Sequence, residues 1–217
     1  YLDVHGFTLM NLLSSRMTTA EFNYAGAALT GVTGANVDTA ECKDFKGRGI
    51  PRLYSFMGMN YTPLNEAIIS AMEIVPAFQK KYKLQVVNTV FLTDGEGHRL
   101  NSVYATADSG DYGWGRSKTM IIRDPITKAQ ALVEDYSPTK NTAAFIKILK
   151  SRTNCNILGF YVLSGREFGR AAYILLPRAA NVDTLKIKFR KEKSMVITNA
   201  GFDEYYLLRS EGLDVDE

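Results

Sequence analysis

Histidine, cysteine and tryptophan are scarce in this chain of 217 residues: two of the first, two of the second and one of the third. His5, His98, Cys42 and Cys155 are far apart in sequence. None stands at the short ligand spacing of a zinc site, and two widely separated cysteines make no disulfide framework; they suit a reducing cytoplasm. No apolar run is long enough to span a bilayer, and no charged-then-apolar secretory start is present. A net charge of only +3 gives no reason to expect nucleic acid as a partner. Internal repeats and low-complexity tracts are missing too. What is abundant is apolar material, 46% of all residues, enough for one core or one core with an appendage.

The most informative stretch is Gly58-Met59-Asn60-Tyr61-Thr62-Pro63-Leu64-Asn65-Glu66-Ala67. Thr62 suits an N-cap and Pro63 the first helical position. Leu64, Ala67, Ile68, Ala71, Met72 and Val75 recur at helical spacing. An amphipathic helix is expected over 63–82, kinked or interrupted at Pro76 by the missing backbone donor. The apolar run from Leu84 to Leu92 then reads as a strand covered on both faces, stopped by Asp94-Gly95. A threonine before a helix and an aspartate at the carboxyl end of the next strand meet at the sheet edge where open α/β folds place ligands. Taken singly, each motif is also a plain cap or a plain turn.

Elsewhere, Thr18-Thr19-Ala20-Glu21 carries a capping-box pattern opening a helix to about Leu29. Residues 31–57, which hold the lone Gly47-Arg48-Gly49, and 96–117, which hold Trp114, read as long loops; Trp114 either anchors a partner or tucks into its own domain. Strands over 118–123 and 129–134 form a hairpin around Asp124-Pro125-Ile126-Thr127. Asn141 is expected to cap a helix to about Lys150. A strand follows over 156–164, a short helix over 167–175, and late strands over 194–199 and 205–208 around the turn Gly201-Phe202-Asp203-Glu204. Lys186 to Lys193 alternates basic and apolar residues and reads as an exposed edge strand, with binding of an acidic surface as the other option. An acidic tail is expected from about 211. The whole is an α/β fold, a mostly parallel sheet with helices on both faces and an inserted antiparallel hairpin, in a single domain over 1–217.

Thr62-Pro63-Leu64-Asn65-Glu66-Ala67-Ile68, Phe91-Leu92-Thr93-Asp94-Gly95 and Phe202-Asp203-Glu204-Tyr205-Tyr206 together resemble the von Willebrand factor A-type domains that carry a metal-ion-dependent adhesion site. The likeness is to the partner subunits of cobaltochelatase and magnesium chelatase, and most of all to phage-encoded chelatase-like proteins. It runs over most of the chain and is weakest at 26–57 and 104–140. In that family Asp-x-Ser-x-Ser on the first strand, a threonine before a helix and an aspartate after a later strand bind the ion. Thr62 and Asp94 match the second and third. No Asp-x-Ser-x-Ser occurs in the 217 residues; the chain starts at Tyr1 rather than Met, and the first motif is expected upstream of it.

The resemblance implies Mg2+ or Mn2+ held at Thr62 and Asp94 together with those upstream ligands. Hydroxyl and carboxylate oxygens do suit a hard cation. It also implies an acidic side chain of a partner as the last ligand, and a ring-forming AAA+ ATPase of the chelatase type as that partner. The module would be non-catalytic, in the cytoplasm, in the host cytoplasm if phage-encoded, or in a virion. Oligomeric state, client and any tetrapyrrole are left open. The alternatives are a phage virion or assembly protein that kept the fold without the metal, and an aspartate-based phosphohydrolase using Asp94, which Asp94-Gly95-Glu96 fits poorly. His98 either lines the site or is an exposed loop histidine; Asn65 and Glu66 stand close behind Thr62 as supporting residues.

Overall fold

A computed structural model of the chain describes residues 2–3, 7, 9, 11–36, 62–97, 101–102, 119–134, 137–177, 179–197 and 201–211. The chain divides into two compact units. One is Tyr1–Phe7 with Thr62–Glu217, the other Thr8–Tyr61.

In the larger unit, β1 (Leu2–Asp3) pairs antiparallel with β3 (Asn101–Ser102). Helix α2 (Leu64–Tyr82) leads into β2 (Asn88–Thr93). The expected hairpin is present as β4 (Thr119–Arg123) and β5 (Gln130–Glu134), antiparallel. Next come α3 (Pro138–Thr153), β6 (Asn156–Leu163), α4 (Phe168–Leu175), α5 (Val182–Glu192), β7 (Ser194–Ile197) and β8 (Glu204–Arg209). The main sheet has the order β2-β6-β8-β7. Its β2–β6 and β6–β8 pairs are parallel and β7–β8 is antiparallel. This is the mixed α/β, mostly parallel arrangement expected from the alternation of strands and helices.

The apolar stripe of α2, Leu64, Ile68, Ala71, Met72 and Val75, is buried with Phe145 and Leu149 of α3 and with Ile157, Tyr161, Leu163, Tyr205 and Leu207 of the sheet. Phe168 of α4 stacks on Phe189 of α5 at 4.5 Å. Pro76 does not end α2, which runs on to Tyr82. The helix starts one residue later than expected, with Pro63 at the N-cap position and no side-chain cap.

Four further expectations change. β2 begins at Asn88, and it is not covered on both faces: Phe91 is half-buried, whereas Val90 and Leu92 are 53% and 71% exposed. The register puts Leu92, Phe160, Tyr206 and Val196 in one row across the sheet's more open face. Residues 186–192 are helical and Lys193 is the C-cap, so this run is not an edge strand. Val182, Leu185 and Phe189 face inward at helical spacing, and Asn181 caps the first turn by accepting from Thr184 N at 3.1 Å. Asn141 lies inside α3, not at its cap; its buried amide accepts from Glu134 N and donates to Glu134 O, both at 2.8 Å, which ties the hairpin to the helix.

In the smaller unit, α1 (Thr19–Asn36) opens on the expected capping box. Thr18 N donates to Glu21 Oε2 at 2.8 Å, and Glu21 N donates to Thr18 Oγ1 at 3.3 Å. The helix continues past Leu29 to Asn36. No described helix is long and apolar enough to cross a membrane.

Candidate functional site

Thr62 and Asp94 come from sequence positions 32 residues apart and are brought to the same end of β2. The link is Gly95: a Cβ placed on it would lie 2.9 Å from Thr62 Oγ1. That approach is closer than side chains make, so only glycine lets the turn after β2 rest against the threonine hydroxyl. Thr93 fixes the same turn, its hydroxyl donating to Gly95 O at 2.8 Å and accepting from Gly95 N at 3.1 Å. Thr62 is half-buried and the Asp94 carboxylate stands exposed at the rim.

The chain then crosses the first turn of α2. A Cβ on Gly97 would meet Asn65 Nδ2 at 3.1 Å and Thr142 Oγ1 at 3.4 Å. Asn65 is wholly buried, and its Oδ1 accepts from Thr142 Oγ1 at 2.6 Å. This joins the N-terminal turns of α2 and α3 beneath the loop. The sequence reading missed Gly97 and Thr142. The spacing Gly95-x-Gly97 was the available signal for a loop pressed closely against neighbouring side chains.

Glu66 follows Thr62 by four positions, in the first turn of α2. Its Oε2 is a buried side-chain atom without a hydrogen-bond partner. Glu96 lies 3.9 Å from Arg170 of α4, which is itself mostly exposed. Beside it on β6, Tyr161 is buried, and its phenol is pushed above the ordinary tyrosine range first by that burial and then by the Glu96 and Glu167 carboxylates. Glu167 is held below the usual carboxylate range by the Ser164 amide and hydroxyl. Glu211, after β8, is held low by its hydrogen bond to Arg209, at 2.7 Å. The carboxyl ends of β2, β6 and β8 therefore carry the carboxylates Asp94, Glu96, Glu167 and Glu211 alongside the guanidinium groups of Arg170 and Arg209.

Among the described residues no three His, Cys, Asp or Glu side chains are grouped to hold a metal. The donor chemistry still fits a hard cation: Thr62 Oγ1 lies against the turn that carries Asp94, and a buried carboxylate oxygen without a partner belongs to Glu66, four residues after Thr62. His5, His98, Cys42, Gly47 to Gly49 and Trp114 lie outside the described residues. Cys155 is buried, with its sulfur 3.0 Å from Thr153 Oγ1. In the smaller unit a concavity of about 390 Å³ is lined by Leu13, Ser14, Ser15, Met17, Thr19 and Phe22. None of those side chains is ionisable, so it offers no acid, base or anionic ligand.

Compared with protein-family models, with curated proteins and with solved structures, the chain matches none.

Proposed function

We propose that this chain is a metal-dependent protein-interaction module of the von Willebrand A type, working beside a ring-forming AAA+ ATPase of the chelatase kind. One observation carries the reading: the Thr62 hydroxyl rests against the Asp94–Gly95 turn at the carboxyl end of a parallel strand. In an open α/β sheet that is where a ligand is received. A hydroxyl and an exposed carboxylate there suit Mg2+ or Mn2+, which keeps part of its water shell and leaves a position for a carboxylate from a partner. The module contributes no hydrolytic step. The ion bridges two proteins, and ATP hydrolysis in the ring does the work on the client.

The test is retention of a chelatase-type AAA+ ring by the wild-type chain and by Thr62→Ala and Asp94→Ala, in Mg2+ and in EDTA. The expected result is retention only for wild type in Mg2+, with all three chains folded by circular dichroism. Equal retention under every condition would sink the reading. It would then favour an assembly protein that keeps the fold without the ion.

A further inference from the structure

We infer that Glu66 supplies a second carboxylate ligand to the cation that Thr62 and Asp94 receive; this rests on the metal-dependent reading above and adds a ligand to it. Glu66 Oε2 is a buried side-chain oxygen with no hydrogen-bond partner, the one such atom among the described residues. A buried carboxylate oxygen left without a donor or a cation loses its hydration and gains nothing in return.

Other polar groups of the same unit do not share this condition. Asn65 takes the Thr142 hydroxyl, Thr93 closes on Gly95, and buried Asp124 is met by Arg152 and Thr127. The orphan is thus particular to Glu66. A helix dipole favours a carboxylate in the first turn of α2 but supplies no donor to Oε2.

Glu66 lies in the first turn of α2, four residues after Thr62, which lies against Gly95, and one residue after Asn65, which lies against Gly97. Two carboxylates and a hydroxyl, with water in the remaining positions, are what Mg2+ accepts from a protein that does not cage it. A set of two acids is also compatible with no group of three being present among the described residues. Glu66 then has one role in two states: an unpaired buried oxygen without the ion and a ligand with it.

The experiment is Mn2+ titration of the chain by electron paramagnetic resonance, paired with thermal melting in Mn2+ and in EDTA, for wild type, Glu66→Gln, Glu66→Asp and Thr62→Ala. Glu66→Gln keeps the shape and removes the charge. Its Mn2+ affinity should fall at least tenfold and its Mn2+-induced rise in melting temperature should vanish. In EDTA it should melt at or above wild type, because an amide loses less than a carboxylate when a side-chain oxygen is buried without a donor. Glu66→Asp should retain partial Mn2+ binding. Wild-type affinity in Glu66→Gln, with binding lost in Thr62→Ala, would overturn the role of Glu66 and leave the metal-dependent reading standing. Glu66→Gln melting well below wild type in EDTA would also overturn it, by revealing a structural partner. No Mn2+ binding by wild type would remove both.

Discussion

Pro76 and Arg152 meet at the carbonyl of Met72. Pro76 has no amide to close the helical bond to the residue four positions back, and Arg152 Nη1 of α3 donates to that carbonyl at 3.1 Å instead. The same guanidinium reaches Glu73 and, through Nε at 3.0 Å, the wholly buried Asp124 carboxylate on the hairpin turn. One side chain therefore keeps α2 continuous and pins the hairpin to the helix layer.

Removing it should be costly. Arg152→Ala leaves Asp124 as a buried unpaired charge and Met72 O without a donor, and is expected to lose about 3–5 kcal/mol in urea unfolding. Pro76→Ala restores the amide, so in the Arg152→Ala background it should recover about 1 kcal/mol more than it gives in wild type. A cycle with no coupling would show that Met72 O does not depend on Arg152.

The same cluster sets an acid limit on stability. Hydrogen bonds from Arg152, then from Thr127, hold the Asp124 carboxyl far below the usual aspartate range. A folded-state pKa below the unfolded one contributes stability that is complete above the unfolded value, about 4, and fades as pH falls below it. The urea midpoint should drop on acidification from pH 4 towards pH 2, and the drop should be smaller in Asp124→Asn.

Gly159 of β6 leaves room for an aromatic stack. A Cβ there would lie 2.3 Å from Tyr205 Cδ2, and that ring is backed by Phe202 at 4.7 Å, so it has nowhere to retreat. Gly159→Ala should cost about 1–3 kcal/mol, read as a melting temperature lower by several degrees. An unchanged melting temperature would mean that the stack is free to shift.

Gly95 tests the site without touching a ligand. A methyl group on it would press on Thr62 Oγ1, the end of a short side chain that can turn away. Gly95→Ala should therefore fold with a melting temperature close to wild type in EDTA and bind Mn2+ at least tenfold more weakly. Unchanged Mn2+ affinity would mean that the Thr62 hydroxyl is not used.

Much of the fold was legible because local patterns and packing agree. The α2 stripe, the Thr18–Glu21 capping box, the turn at Asp124 to Thr127 and the apolar run of β6 each state one structure. Residues 186–193 misled because lysines alternating with Ile187 and Phe189 satisfy period two. The helical set Val182, Leu185 and Phe189 begins upstream of the basic run, with its cap at Asn181. The extra cover expected on β2 failed because an apolar run records hydrophobicity and not the number of layers around it.

By itself the sequence determined the α2–β2 and α3–β6 successions, the hairpin and the late strands β7 and β8, since each depends on residue type and short spacing. Only the tertiary structure decided which glycine presses on which side chain, that Arg152 substitutes for the amide Pro76 lacks, and that a Glu66 oxygen is buried without a partner. Those relations join residues up to about 80 positions apart. A chain encodes such contacts only through the packing of its whole core, and no window of neighbouring residues contains them.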